Sequence, residues 1–210
     1  MNLLGIESSS RKISVGLMKE ESFSELHSEK INDTANSLPQ LSKKIINNAS
    51  LSFENLDAIC ISAGPGSFTG LRVGMSYAKG IAMALDIPIV PVSTFDSLAY
   101  KNTSEKLSTL IYSHGNTFYI CEYSIDDGIL LKSGEPKSIL KENVLELSRN
   151  IAFNGPTNIF EDLKAHKLKI EFTDLRVNNI LKIAQQNFKL LKTKSLDNLV
   201  PDYVGNFEVK

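Results

Sequence analysis

The chain has 210 residues, 42% of them hydrophobic and 22% charged, with a formal net charge of −1. That is an ordinary soluble balance, and the length suits one large domain or two small lobes. Near-neutral charge argues against broad, charge-driven nucleic-acid binding and leaves room only for a local basic patch. Cys60 and Cys121 each lie in an apolar run, lack CxxC spacing and read as buried thiols. The start, Met1 to Glu7, meets a carboxylate too soon for a signal-peptide core, and no apolar run approaches membrane-span length. The expectation is a cytoplasmic soluble protein.

In chain order, Leu3–Ile6 and Ile13–Met18 are apolar runs joined by the polar link Glu7-Ser8-Ser9-Ser10-Arg11-Lys12, which reads as a hairpin. A weaker third strand follows over Phe23–Ile31. Residues 36–48 carry Leu38, Leu41, Ile45 and Ile46 at helical spacing, with Ser37 a candidate N-cap and Pro39 expected in the first turn. A strand over 57–62 enters the glycine-rich stretch Gly64-Pro65-Gly66-Ser67-Phe68-Thr69-Gly70-Leu71-Arg72-Val73-Gly74, and a helix runs on to Leu85. Ile87–Val92 is a short strand, and Ser93-Thr94 caps a further helical turn. Three consecutive strands followed by alternating units describe a mixed sheet with helices on its faces.

Polar residues 101–106 suggest a linker between two lobes, 1–103 and 104–210. The second half restarts with strands over 107–113, 117–125 and 129–134, with Asp126-Asp127-Gly128 as a turn signal. Helical runs are expected at 139–149 and 177–191, and short strands at 150–154 and 168–172. The two halves share an element order without a direct sequence repeat.

The glycine stretch is neither a Walker A loop nor a dinucleotide fingerprint. It lacks GxxxxGK[ST], its glycines run G-x-G-x-x-x-G, and Pro65 removes an N–H. Two readings stay open: a structural strand-to-helix turn capped by Ser67 or Thr69, or a phosphate or nucleotide cradle using Glu7, Ser8, Ser9, Gly64, Gly66, Ser67 and Thr69. The helix behind it has small residues at Gly70, Gly74, Ala78 and Ala82. They suit close approach either to the chain's own sheet or to a partner helix. His27, His114 and His166 form no metal-binding pair, and no G-x-S-x-G elbow exists. Lys43-Lys44 and Lys189–Lys194 read as solvated helix faces.

The glycine stretch, with Ala78-Lys79-Gly80, Pro91-Val92-Ser93-Thr94 and the start Leu3-Leu4-Gly5-Ile6-Glu7-Ser8-Ser9, resembles the bacterial TsaB (YeaZ) family. The likeness is strong over residues 1 to about 100; Asn154-Gly155-Pro156 and Val200-Pro201-Asp202-Tyr203-Val204 are fainter echoes. The resemblance implies an α/β fold of two lobes with ribonuclease-H-like, actin-like mixed sheets flanked by helices. It implies a non-catalytic subunit that supports the transferase TsaD in threonylcarbamoylating N6 of adenosine 37 in tRNAs reading ANN codons. TsaE, an ATPase, would complete the assembly, and the chain would form a homodimer when alone. ATP or ADP is expected only within the complex, and no metal is expected on this chain. The partner surface would lie on the helices at 36–49 and 67–85, through Leu41, Ile45, Leu71, Arg72, Gly74, Met75, Ala78 and Ala82. An actin-like nucleotide-binding or hydrolysing enzyme is the alternative, and a peptidase a more distant one. The family usually has Asp at Glu7 and often His at Asp33, and its second-lobe and late motifs are altered here at Tyr112-Ser113-His114 and Tyr203-Val204-Gly205.

Overall fold

The computed structural model describes residues 1–29, 33–126 and 129–204. The Asp126-Asp127-Gly128 turn, the end of the expected third strand at Ile31, and the tail from Gly205 lie wholly or partly outside the described residues. The chain divides into two units, one built from Met1–Ser97 with Leu175–Asp202, the other around Leu98–Asp174. The segment from Leu175, expected in the second lobe, thus groups with the first.

In the first unit, β1 (Asn2–Glu7), β2 (Ser14–Lys19) and β3 (Ser22–His27) form an antiparallel meander. β4 (Ala58–Gly64) lies parallel to β1, and β5 (Ile89–Ser93) parallel to β4, in the order β3-β2-β1-β4-β5. The inner strands β1 and β4 are buried along almost their whole length, as near-continuous apolar runs require, whereas β3 is a mostly exposed edge. Leu4, Ile6, Val15, Leu17, Ile59 and Ile61 point to one face. They pack with Leu38, Ile45 and Ile46 of α1 (Thr34–Asn48) and with Met75, Ala78 and Ala82 of α2 (Phe68–Leu85). α1 begins two residues before the sequence suggested. Ser37 is therefore no cap: it is buried inside the helix, with its hydroxyl 3.0 Å from that of Ser28. Pro39 falls in the second turn instead of the first.

The second unit repeats this plan. β6 (Lys106–His114), β7 (Thr117–Asp126) and β8 (Ile129–Lys132) are antiparallel, while β10 (Asn150–Asn154) and β11 (Ile170–Phe172) run parallel to β6. The order is β11-β10-β6-β7-β8, with β9 (Lys137–Leu140) also on β7. Part of the helical run expected at 139–149 is therefore strand, and only Lys141–Leu145 is helical (α4). A helix that the sequence did not announce, α5 (Thr157–Ala165), links β10 to β11 and packs around Leu163, Phe153 and Phe160. The remaining helices are α3 (Thr94–Ala99), α6 (Val177–Gln186) and α7 (Phe188–Leu191). This is the mixed α/β arrangement of helix-flanked sheets implied by the resemblance.

α6 covers the opposite face of the first sheet. Side chains alternate along a strand, so Gly5, between Leu4 and Ile6, opens on that side, and its register partner is Gly16 of β2. A methyl placed on Gly5 would stand 2.6 Å from Val177 Cγ2, and one on Gly16 2.8 Å from Val177 Cγ1. The glycine pair is the hollow that receives α6, and the stiff β-branched Val177 cannot rotate out of the way. Gly5→Ala is expected to cost about 1–3 kcal/mol by overpacking. Because Gly5 and Val177 share one space, Gly5→Ala with Val177→Ala should be less destabilised in urea melts than the sum of the two single variants.

Candidate functional site: the glycine loop and its helix

β4 runs into the glycine loop at Gly64, whose φ of +114° lies where side chains are strained. The loop is tied down on both sides. Ser67 N donates to Ser9 O at 2.7 Å, and Asp202 N donates to Ala63 O at 2.7 Å. Ser67 is the N-cap of α2: its hydroxyl accepts from Gly70 N at 3.3 Å. Thr69 is exposed and is not the cap.

α2 then lays its small face on the turn after β1. A side-chain carbon on Gly66, Gly70 or Gly74 would collide with Ser9 O, Ser8 O and the Ser8 hydroxyl respectively. Glu7, Ser8 and Ser9 are buried there. Glu7 Oε1 accepts from Ser9 N at 2.6 Å and from Ser9 Oγ at 2.5 Å, so Ser9 joins the end of β1 to the glycine loop. The structure therefore brings together Glu7, Ser8, Ser9, Gly66 and Ser67, but they fill one another's space. Gly66 and Gly70 admit the neighbouring backbone, and Gly74 the Ser8 hydroxyl.

The same contact sets the rotation of α2. Leu71, Gly74, Met75, Ala78 and Ala82, with Ile45 of α1, are buried in the chain's own core. Leu41 is half-buried and packs on that core; Arg72 alone of the expected interface residues is exposed. The outer face of α2 instead presents Phe68 (43% exposed), Arg72, Ser76, Gly80 and Met83 (71% exposed). The Arg72 guanidinium sits 3.8 Å from the centre of the Phe68 ring. Apart from its chain neighbours and the backbone of its own helix, Gly80 has no atom within 4 Å of where its Cβ would stand. A mid-helix glycine costs about 1 kcal/mol relative to Ala, and nothing in this chain's packing requires one there. The signal in sequence is an isolated helical glycine off the inward stripe.

Residues 23–202 match the family model described as TsaD: tRNA N6-adenosine threonylcarbamoyltransferase, which spans most of the chain. The chain is 26% identical to the tRNA threonylcarbamoyladenosine biosynthesis protein TsaB of Bacillus subtilis (strain 168), over 97% of this chain and 94% of that protein. The chain belongs to this family, as a TsaB (YeaZ) member. Two solved structures agree in fold. A protein with similarity to peptidase YEAZ from Pseudomonas aeruginosa has a TM-score of 0.82 at 20% identity, covering 97% of this chain and 99% of that one. YeaZ from Pseudomonas aeruginosa has a TM-score of 0.78 at 19% identity, with the same coverage.

In this TsaB-family chain, Cys60 and Cys121 are both buried free thiols. Burial raises the Cys60 thiol pKa well above its usual range. His27 lies 3.7 Å from Glu25, His114 beside Ser113, and His166 beside the Asp162 carbonyl. Among the described residues, no group of three or more His, Cys, Asp or Glu could hold a metal ion, and no helix is long and apolar enough to cross a membrane.

Glu7 is fully buried, and desolvation pushes its pKa from 4.5 up to about 7 against the pull of the Ser9 hydrogen bonds. Its second oxygen, Oε2, has no protein hydrogen-bond partner. Between these two pKa values the folded chain holds a proton that the unfolded chain releases. Glu7's contribution to stability is thus full below pH 4.5 and is lost as the pH rises through about 7. The loss amounts to about 3 kcal/mol, at 1.36 kcal/mol per pKa unit. Urea titrations at pH 5 and pH 8 are expected to show that Glu7→Gln removes most of this decline, leaving the variant the more stable protein at pH 8.

Proposed function

We propose that this chain is a supporting, non-catalytic subunit in the threonylcarbamoylation of N6 of adenosine 37 in tRNA, and that it works by docking the transferase TsaD on the outer face of α2 and the adjoining α1. Family membership supports the pathway. Gly80 supports the docking surface: an exposed mid-helix glycine without an intramolecular reason lets a partner helix approach closely. Ser76 keeps the middle of that face low, while Phe68, Arg72 and Met83 supply large groups at its two ends. In the absence of TsaD the same face would pair with a second copy, giving a homodimer that the heterodimer replaces. TsaE and any ATP or ADP would join at the level of the assembled complex in the cytoplasm.

The glycine loop's role in this reading is to hold α2 in register. An actin-like ATPase reading is less well supported, because Ser8 and Ser9 occupy the small face that a phosphate would need.

Gly80→Phe and Met83→Glu are expected to abolish co-elution with the cognate TsaD in gel filtration and to lower tRNA modification in the reconstituted system. The thermal midpoint of the isolated chain should hold in both. Gly80→Ala should instead raise its stability by up to about 1 kcal/mol. Unimpaired co-elution of both Gly80→Phe and Met83→Glu would remove the docking surface from this face.

A further inference from the structure

Cations are unevenly spread along this chain. Its formal net charge is −1, yet residues 175–196 contain Arg176, Lys182, Lys189, Lys192 and Lys194 and no acidic residue. We infer that the exposed lysines of α7 and its flanks form a contact surface for the phosphate backbone of a folded RNA. This rests on the proposed function, in which the RNA is the tRNA substrate of the complex.

Lys189 and Lys192 are both exposed and lie three residues apart, so on a helical segment they share one side. Neither is ion-paired with an acid among the described residues, whereas Lys194 is held by Asp86 at 3.0 Å. The support beneath them is fixed. Thr193 exchanges two backbone hydrogen bonds with Ile89 at 2.8 and 2.9 Å, which staples the end of α7 to the start of β5. Asn187 binds back to Ile183 O through both its backbone and its side-chain nitrogen. The Lys192 ammonium lies 5.3 Å from the centre of the Phe188 ring, which restrains its stem. Cations on an anchored backbone lose less entropy on binding than the same cations on a loose tail.

Lysine ammoniums on phosphates position RNA without themselves selecting sequence. Leu190, 82% exposed, is the one large apolar side chain at its centre. An isolated apolar residue on a four-residue helix is too little to anchor a membrane-surface helix.

The test titrates a labelled tRNA transcript with the full-length chain, alone and with TsaD, over a range of KCl concentrations. Lys189→Glu with Lys192→Glu should weaken binding by roughly tenfold near 0.1 M salt and make the slope of log K against log salt shallower by about two. Co-elution with TsaD and the thermal midpoint should be unchanged. Lys106→Glu with Lys137→Glu makes the same change in net charge on exposed strand positions of the second unit and should have a much smaller effect. An unaltered slope in the α7 variant, or equal losses from both pairs, overturns the inference. So does α7-dependent binding to anionic phosphatidylserine vesicles without α7-dependent binding to tRNA. Loss of TsaD co-elution by the unsubstituted chain would instead count against the proposed function, and the titration of the chain alone reads the RNA surface separately.

Discussion

The constraint on which the first unit turns is the contact between the small face of α2 and the turn at Ser8-Ser9. Two backbone carbonyls and one hydroxyl stand where side-chain carbons of Gly66, Gly70 and Gly74 would be. At such distances nothing larger than hydrogen fits, so α2 can sit at only one rotation about its axis. Once that rotation is set, Leu71, Met75, Ala78 and Ala82 must face the sheet, and Phe68, Arg72, Ser76, Gly80 and Met83 must face outward. The Ser67 cap and the hydrogen bond from Ser67 N to Ser9 O fix the helix along its length as well. The loop's chemistry is thus directed at the chain itself.

The opposite face of the same sheet uses the same device with another helix. Gly5 and Gly16 leave a hollow, and Val177 and Leu181 of α6 fill it. The first unit is therefore not completed by the first hundred residues; it needs α6, which begins at Val177. A boundary drawn from the polar stretch 101–106 misses this. Composition marks where contacts thin along the chain and is silent about a segment that returns.

Much of the first sheet was legible because β1, β2 and β4 are apolar runs bounded by polar or glycine-rich links. α1 and α2 show a 3.6-residue period strong enough to read directly. α5 was not legible: only Leu163 is fully buried in it, and the preceding Gly155-Pro156 resembles an ordinary loop. The run at 139–149 misled because pairing with β7 draws Lys137–Leu140 into the sheet, a tertiary contact outweighing local preference. That Glu7, Ser8, Ser9 and the glycine loop belong together was legible, and in the structure they do meet. Their meaning was not, because periodicity shows that a helix has a small face without showing what lies against it. An inward and an outward small face give the same spacing.

What a methyl group would strike differs from glycine to glycine along α2. At Gly70 and Gly74 it would strike the chain itself, so those residues are explained by the fold and need no partner. At Gly80 it would strike nothing, and the helix bears the cost of a flexible residue without internal compensation. Gly70, Gly74 and Gly80 thus lie on one helix for two unrelated reasons. A glycine that the fold requires tolerates no substitution in the isolated chain. A glycine that only an assembly requires can be replaced without harm to the monomer and fails when the partner arrives. If TsaD docks as proposed, stability of the isolated chain and competence of the complex are separable between Gly74 and Gly80, less than two turns of α2 apart. In the proposed docking, the functional weight of the segment lies on the surface that the glycine loop orients, beyond the loop itself.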